Sequence, residues 1–224
     1  MPFRDRTEAG HRLAEALNGY RGEDVVVYAL PRGGVQVAAE IADALKAPLD
    51  LILVRKIGVP FQPELAMGAV VDGGDPIIVR NAEVIAEIGI TPREFDAVCK
   101  REIAEIERRR RLYLAGHPAI DPAGKVAIVV DDGIATGATI RAALRATRQR
   151  KPAKLVLAVP VAPPDAIEEL RTDTDEIVCL ETPIYFGAIG WFYQNFQQLT
   201  DHDVIEILKR FIERPPKQTG NSAS

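Results

Sequence analysis

The chain has 224 residues, of which 47% are hydrophobic and 6% aromatic, and its 28 basic and 32 acidic side chains give a net charge of −4. At ~150 residues per domain, this length allows one large domain or two small ones, with roughly 70% of the unfolded surface buried on folding. The acidic balance argues against a general nucleic-acid or anionic-membrane partner, because a phosphate backbone requires a broad positive field. Any anionic ligand must therefore be held by local groups.

The sequence also lacks the features of a membrane or secreted protein. No apolar run approaches the ~20 residues needed to span a bilayer, and residues 1–20 are too charged for the apolar region of a signal peptide. We therefore expect a soluble, intracellular protein, located in the cytoplasm. Cys99 and Cys179 fit neither a disulfide framework nor a metal-binding spacing, and their apolar surroundings predict buried thiols.

Short apolar runs alternate with helical patterns along most of the chain. The runs, which predict strands covered on both faces, are residues 25–30, 49–54, 126–130, 155–161 and 176–180. Helical patterns lie between them at residues 34–46, 137–150 and 164–171. This order predicts a three-layer α/β/α fold with a mostly parallel central sheet. Ligands of such sheets bind at the carboxyl ends of the strands.

One segment interrupts the alternation before the middle of the chain. Residues 59–76 hold three prolines and a Gly-Gly pair around a short apolar stretch. This composition predicts a long loop with a hairpin rather than a helical crossover between parallel strands. At the other end of the chain, residues 214–224 are polar and proline-rich, which predicts a disordered tail.

Residues 91–114 predict one long helix. Thr91 is a good N-cap, Pro92 suits the first helical position, and Glu94 completes a capping box. Towards the end of this helix, Arg108 to Arg111 form a run of arginines. We interpret the run as a solvated helix end, where cations complement the helix dipole, with a phosphate-binding patch as the alternative.

The strongest chemical signal follows the predicted strand at residues 126–130. Asp131 and Asp132 come directly after it, and a loop of Gly, Ala and Thr then enters a helix. Small residues allow backbone N–H groups to approach a phosphate, and the helix N-terminus adds partial positive charge. Because the two carboxylates would repel that phosphate, they must face neutral hydroxyls or a bound cation. A ribose 5-phosphate satisfies both halves of the loop.

Four apolar residues followed by Asp-Asp-Gly-x-x-Thr-Gly-x-Thr resemble the 5-phosphoribosyl 1-diphosphate (PRPP) binding motif of the type I phosphoribosyltransferases. The resemblance covers residues 23–180. It implies one phosphoribosyltransferase domain over residues 1–213, with the core at 23–180 and a C-terminal hood at 181–213. The positions it assigns to PRPP in this loop are Asp131, Asp132, Gly133, Ile134, Ala135, Thr136, Gly137, Ala138 and Thr139. It also implies that Asp131 and Asp132 are catalytic and hold Mg²⁺.

The resemblance gives a role to two further loops. Arg32, Gly33 and Gly34 follow the first apolar run, where family members bind pyrophosphate through backbone amides and often a strained peptide. Arg55 and Lys56 follow the second run, where the family places a basic residue against the same pyrophosphate. A guanidinium can bind phosphate oxygens through two parallel hydrogen bonds. We prefer Arg32 and Lys56 as ligands, with Lys56 also catalytic.

The remaining family features are a lid and a hood. Residues 59–76 match the flexible catalytic loop, in which Glu64 is either an acid/base or metal-binding group or a solvent-facing side chain. The hood holds an aromatic cluster over residues 185–198. Tyr185, Trp191 and Phe192 are the candidates to stack on a base, and packing in the core or a dimer is the alternative. His202 is expected in the exposed first turn of a helix.

One position departs from the family pattern. The 6-oxopurine members have an aspartate three residues after the second acid of the motif, and this chain has Ala135 there. The resemblance implies transfer of the 5-phosphoribosyl group from PRPP to a nitrogenous base, with a purine-like acceptor favoured, release of diphosphate, Mg²⁺, a homodimer and a role in nucleotide salvage. Two alternatives are a non-catalytic PRPP or nucleotide sensor of the same fold and a hydrolase or phosphotransferase of sugar phosphates.

Overall fold

The computed structural model describes residues 2–72 and 76–212. The strands are β1 (Val25–Ala29), β2 (Leu49–Leu51), β3 (Val54–Val59), β4 (Gln62–Val71), β5 (Ile77–Arg80), β6 (Val126–Val130), β7 (Lys154–Val161) and β8 (Glu176–Glu181). The α-helices are α1 (Arg6–Ala16), α2 (Gly33–Leu45), α3 (Ala82–Ile88), α4 (Pro92–Leu114), α5 (Ala138–Gln149), α6 (Pro164–Leu170) and α7 (Asp201–Ile212). Within these ranges, no helix combines the length and the apolar character that a membrane crossing requires.

The central sheet contains five strands in the order β2, β1, β6, β7, β8, and every neighbouring pair is parallel. The predicted parallel sheet is thus confirmed. Strands β1 and β6 run in register from Val25 opposite Val126 to Ala29 opposite Val130. Because the two strands end at the same level, the loops that follow them leave the sheet side by side.

Helices cover both faces of this sheet. Alternate residues of β1 point to opposite sides, so Val25 and Val27 pack in a core with α1, α2, α4 and α7. Val26 and Tyr28 pack in a second core with α5 and α6. Strands buried on both faces require the continuous apolar runs seen in the sequence, and the predicted three-layer α/β/α architecture is confirmed.

The segment between the second strand and the long helix forms a second sheet. Strands β3, β4 and β5 are antiparallel and adjacent in that order. The sequence predicted one strand over residues 49–54, but β2 ends at Leu51 and Val54 pairs instead with Val71. The prediction of a loop after that strand is therefore wrong, because Arg55 and Lys56 lie inside β3.

Helix α4 begins where its capping signals predict. Thr91 Oγ1 accepts the N–H of Glu94 at 3.3 Å, and Glu94 Oε2 accepts the N–H of Thr91 at 2.9 Å, which completes the capping box. At the other end, the interpretation of the arginine run as solvated is wrong for Arg110. Its guanidinium donates to Asp72 at 2.5 Å and to Asp50 at 3.1 Å, and its side chain is only 15% exposed.

Two smaller predictions concern the cysteines and His202. The thiol of Cys99 is buried as predicted, whereas Cys179 is only partly buried, because its strand β8 lies at the edge of the sheet. Burial raises the pKa of the Cys179 thiol to about 11. His202 lies in the exposed first turn of α7, as expected. The tail predicted over residues 214–224 lies outside the described residues.

Candidate active site

The two loops that the sequence assigned to pyrophosphate and to ribose phosphate lie together at the carboxyl ends of the neighbouring strands β1 and β6. The first leaves β1, contains Pro31 and leads into α2, whose N-cap is Arg32. The second leaves β6 and leads into α5. The peptide bond between Pro31 and Arg32 is cis. The carboxyl ends of neighbouring parallel strands are where an α/β sheet forms its ligand sites, so this is the expected position.

The glycines of the first loop allow the two loops to touch. A Cβ atom at Gly33 would lie 1.8 Å from Oδ2 of Asp132, and one at Gly34 would lie 2.8 Å from the carbonyl oxygen of Val130. Any larger residue at Gly33 would have to displace the carboxylate of Asp132. The loop after β1 and the acidic pair are therefore in direct contact.

The two acids have different surroundings. Asp131 Oδ1 accepts the backbone N–H of Asp132 at 2.8 Å. Burial, followed by the negative charge of Asp132, raises the pKa of Asp131 well above its usual range. Asp132 Oδ2 accepts a hydrogen bond from Nε of Arg6 at 2.8 Å, and both side chains are almost fully buried. Arg6 was not among the site residues predicted from the sequence.

The loop after the acids enters a helix, as the sequence predicts. Gly137 has a φ of 73°, a left-handed conformation that glycine adopts readily, and it forms the N-cap of α5. Thr136 and Thr139 are exposed on either side of it. The first turn of an α-helix leaves its N–H groups without intrahelical acceptors, so this turn offers several donors to a phosphate.

Arg55 and Lys56 point in opposite directions because neighbouring side chains of a strand alternate between its faces. Arg55 faces α4, where its guanidinium lies 2.9 Å from the buried Glu102. Lys56 faces the other way, and its Nζ donates to the carboxylate of Glu64 across the hairpin at 3.1 Å. Of the two β3 cations that the sequence predicted near pyrophosphate, the structure therefore leaves Lys56 on the open side.

A cavity of about 510 Å³ lies between the antiparallel sheet and α5. Lys56 lines it on the side of the sheet, and Thr139 lines it on the side of the phosphate loop. The cavity thus connects the hairpin with the start of α5. Arg80 and Arg141 add further positive charge to its wall.

Arg32 lies near the start of α7. Its Nη1 is 4.0 Å from Oδ1 of Asp201, and the hydroxyl of Tyr113 donates to the same oxygen at 2.6 Å. Burial is the main reason that the pKa of Tyr113 is raised to about 12. Because its ion pair with Asp201 is long and its guanidinium is partly exposed, Arg32 can turn towards a ligand with little loss of internal contacts.

The family model of the phosphoribosyl transferase domain matches residues 5–194. The chain belongs to this family. Two proteins from Mycobacterium tuberculosis strains CDC 1551 and H37Rv, provisionally named phosphoribosyl transferases, are each 46% identical to it over 208 residues. The match covers 93% of this chain and 46% of each relative, so the chain spans about half the length of these curated relatives. A crystal structure of a protein from Thermus thermophilus superposes with a TM-score of 0.81 at 40% identity, covering 94% of this chain and 99% of that one.

The fold is that of the type I phosphoribosyltransferases, and the match to the family extends further than the motifs alone indicated. It begins before α1 and so includes Arg6, and it ends in the aromatic segment after β8. The charged, short α1 carried no motif that pointed to the site.

The hood rests directly on the phosphoribosyltransferase motif. A Cβ atom at Gly133 would lie 2.6 Å from the side chain of Ile189, and the hydroxyl of Tyr193 donates to the carbonyl oxygen of Asp132 at 2.6 Å. Tyr185 is 92% exposed and Trp191 is 75% exposed. Both rings are therefore largely open to solvent.

The third hood residue named from the sequence is in a different position. The ring of Phe192 is partly buried and stacks on that of Phe186, with 5.3 Å between the centroids. Packing thus already occupies one face of Phe192. Tyr185 and Trp191 are the better candidates to meet a planar acceptor.

The acidic pair fits the magnesium ion that this family implies. Within the described residues, no group of three or more His, Cys, Asp or Glu side chains could hold a metal ion. Mg²⁺ commonly takes only one or two carboxylates and completes its shell with waters and substrate phosphates. Arg6 holds Oδ2 of Asp132, and the backbone N–H of Asp132 holds Oδ1 of Asp131, so the oxygens that fit the ion are Oδ2 of Asp131 and Oδ1 of Asp132.

Proposed function

We propose that this chain transfers the 5-phosphoribosyl group of PRPP to a nitrogenous base and releases diphosphate. The observation that supports it is the contact between the pyrophosphate loop and the acidic pair, in which Gly33 leaves no space for a Cβ atom against Asp132. A single site then offers carboxylates to the ribose hydroxyls, a glycine turn to the diphosphate and a helix N-terminus to the 5-phosphate. Membership of the family supports the same reaction class.

The 5-phosphate is the handle that positions the sugar. The first turn of α5 donates backbone N–H groups to it, and Thr136 and Thr139 add hydroxyl donors. Binding energy from this remote group holds the anomeric carbon at the point of attack. The carboxylates of Asp131 and Asp132 orient the ribose hydroxyls and favour the positive charge that develops on the sugar.

The leaving diphosphate is stabilised by cations. Arg32 offers two parallel N–H donors, and Lys56 approaches from the hairpin. Mg²⁺, when bound, would neutralise part of the charge on the diphosphate oxygens. The hairpin of β3 and β4 carries Lys56 towards the site and excludes water from it, which protects the activated sugar from hydrolysis. Glu64, 96% exposed and bonded to Lys56, is released when Lys56 turns to the diphosphate.

The acceptor that we propose is a purine-like base. Its ring stacks on an open face of Tyr185 or Trp191 in the hood. Ala135 offers no carboxylate to the base, unlike the aspartate of the 6-oxopurine enzymes, so main-chain groups read the base edge. We also propose a cytoplasmic homodimer that acts in nucleotide salvage, and light scattering during size-exclusion chromatography tests the dimer.

The reaction is tested with PRPP, Mg²⁺ and a panel of purine and pyrimidine bases. We expect stoichiometric release of diphosphate and a nucleotide product with at least one base, both quantified by chromatography. Tight PRPP binding without turnover by any base would refute the transferase and support the sensor. Release of ribose 5-phosphate in the absence of a base would instead support a hydrolase of sugar phosphates.

The acidic pair is tested by Asp131→Asn, which keeps the shape of the side chain and removes its charge. We expect kcat/KM to fall about 10²–10³-fold, as for loss of one preorganised electrostatic group. Asp165→Asn, at an exposed position in the first turn of α6, is the matched control and should retain full activity. The double variant Asp131→Asn with Asp132→Asn should be inactive, and circular dichroism confirms that it folds. Undiminished turnover in that double variant would exclude the pair from the mechanism.

A further inference from the structure

Arg6, the first residue of α1, is buried at the back of the acidic pair. Its side chain is 7% exposed. Nε donates to Oδ2 of Asp132 at 2.8 Å, and Nη1 donates to the carbonyl oxygen of Gln197 at 2.7 Å. One guanidinium therefore joins the ribose-facing acid to Gln197 in the hood, a residue that is 65 positions away in the sequence.

Aromatic contacts complete this junction. The guanidinium carbon of Arg6 lies 4.0 Å from the ring centroid of Phe196 and 6.0 Å from that of Tyr193. The two rings stack on each other with 5.0 Å between centroids, and the hydroxyl of Tyr193 donates to the carbonyl oxygen of Asp132. The guanidinium of Arg6 thus makes two hydrogen bonds in its plane and stacks on an aromatic ring with its face. A lysine ammonium cannot make both kinds of contact.

We infer that Arg6 is a positioning residue for phosphoribosyl transfer, which holds the carboxylate of Asp132 and the acceptor hood in one relative arrangement. The inference rests on the proposed function. Because Arg6 occupies Oδ2, the carboxylate keeps a single orientation and presents Oδ1 to the ribose. Because the same guanidinium binds Gln197 and Phe196, the hood that receives the base is held at a constant distance from the sugar.

The test compares Arg6→Ala and Arg6→Lys with the wild-type protein. We expect Arg6→Ala to lower kcat by about 10–100-fold, because misplacing reacting groups by about 1 Å has effects of this size, and to raise KM for PRPP. Arg6→Lys keeps the charge but reaches only one of the two acceptors, so its kcat should lie between those of Arg6→Ala and the wild type. Arg12→Ala, on the same helix and also stacked on an aromatic ring, is the control and should retain full activity.

Chemical rescue separates positioning from mere folding. In the Arg6→Ala protein, about 10 mM free guanidinium should raise kcat several-fold against a sodium chloride control, with the folded fraction from circular dichroism unchanged. If the loss of activity instead follows the folded fraction, or if Arg6→Ala or Arg6→Lys has wild-type kcat and KM, the inference is overturned. If the wild-type protein shows no turnover in this assay, the proposed function itself is refuted, and this outcome is distinct from a failure of the inference about Arg6. Should Arg6→Ala fail to fold, the kinetics of Arg6→Lys decide.

Discussion

Two buried arginines each connect segments that are far apart in the chain, and they do so in different ways. Arg110 lies between Asp50, at the edge of the central sheet, and Asp72, at the end of the antiparallel sheet. Arg6 lies between Asp132 and the hood. Both guanidinium groups are well shielded, with 15% and 7% of the side chain exposed. Their chemistry is the same, and their surroundings differ.

The difference is in what the carboxylates can still bind. Asp50 is 3% exposed and accepts further hydrogen bonds from the backbone N–H groups of Leu51 and Ile120, so it has no oxygen left for a ligand. Asp132, by contrast, uses Oδ2 for Arg6, and its Oδ1 lies close to Gly33 in the loop after β1. A buried ion pair whose acid is fully bonded serves the fold, and one whose acid keeps a free oxygen can serve a substrate.

The largest expected effect is on stability at the fully bonded pair. Arg110→Met leaves the carboxylates of Asp50 and Asp72 buried without a counter-charge. Breaking a buried pair in this way costs about 3–5 kcal/mol, and we expect the free energy of unfolding in urea to fall by that amount. The neighbouring Arg111, 70% exposed, provides the control, since Arg111→Met should change stability by less than about 0.5 kcal/mol. Equal losses in the two variants would contradict a structural role specific to Arg110.

A smaller effect is expected where the two loops of the site touch. Gly33→Ala adds a methyl group 1.8 Å from Oδ2 of Asp132, which Arg6 holds in position. Forced overpacking of this kind costs about 1–3 kcal/mol, and here part of it should appear as weaker PRPP binding by calorimetry. Gly19→Ala meets no atom within 4 Å and is the matched control. Unchanged PRPP affinity in Gly33→Ala would show that the carboxylate of Asp132 need not stay where it is.

The sequence predicted the part of the molecule that is governed by hydrophobic burial. Strands such as β6, with all five residues buried, have no polar face, and their apolar runs are visible without any structure. The acidic pair and the phosphate loop were equally visible, because their residues are contiguous. Contiguity and periodicity were enough to predict the parallel order of the central sheet and the start of α4, and to name the acidic half of the candidate site.

The remainder depends on contacts between distant residues. Asp72 lies in the segment predicted as a long loop, and Arg110 lies in the run interpreted as solvated, because no pattern shows that two charges 38 positions apart will meet. Arg6 was missed for the same reason, since it is 126 positions away from Asp132. The misplaced start of β3 has a different cause: residues 49–54 are apolar enough to form one strand, and only the pairing of Val54 with Val71 of β4 assigns Val54 to the second sheet.

The smallest expected effect concerns the exposed arginines beside Arg110. Arg108 and Arg109 each donate to Glu105 at 2.8 Å, and these hydrogen bonds lower the pKa of its carboxyl to about 2. A lowered carboxyl pKa contributes stability above the unfolded value of about 4.3 and loses it as the pH falls towards about 2. Glu105→Gln should therefore reduce the free energy of unfolding by only about 0.5 kcal/mol at pH 7, because partly exposed pairs are screened by water.

The difference in the free energy of unfolding between Glu105→Gln and the wild type should shrink in about 0.5 M sodium chloride and vanish near pH 2. Urea unfolding of the two proteins measures it. Arg110→Met should keep most of its effect in that salt, because the carboxylates of Asp50 and Asp72 are shielded from ions. Burial alone would then divide the four consecutive arginines into two groups. Arg110 connects the two sheets, and the other three contribute only weak ion pairs at the surface. An equally large, salt-resistant effect at Glu105 would remove that division, and with it the reason to assign different roles to buried and exposed guanidinium groups in this chain.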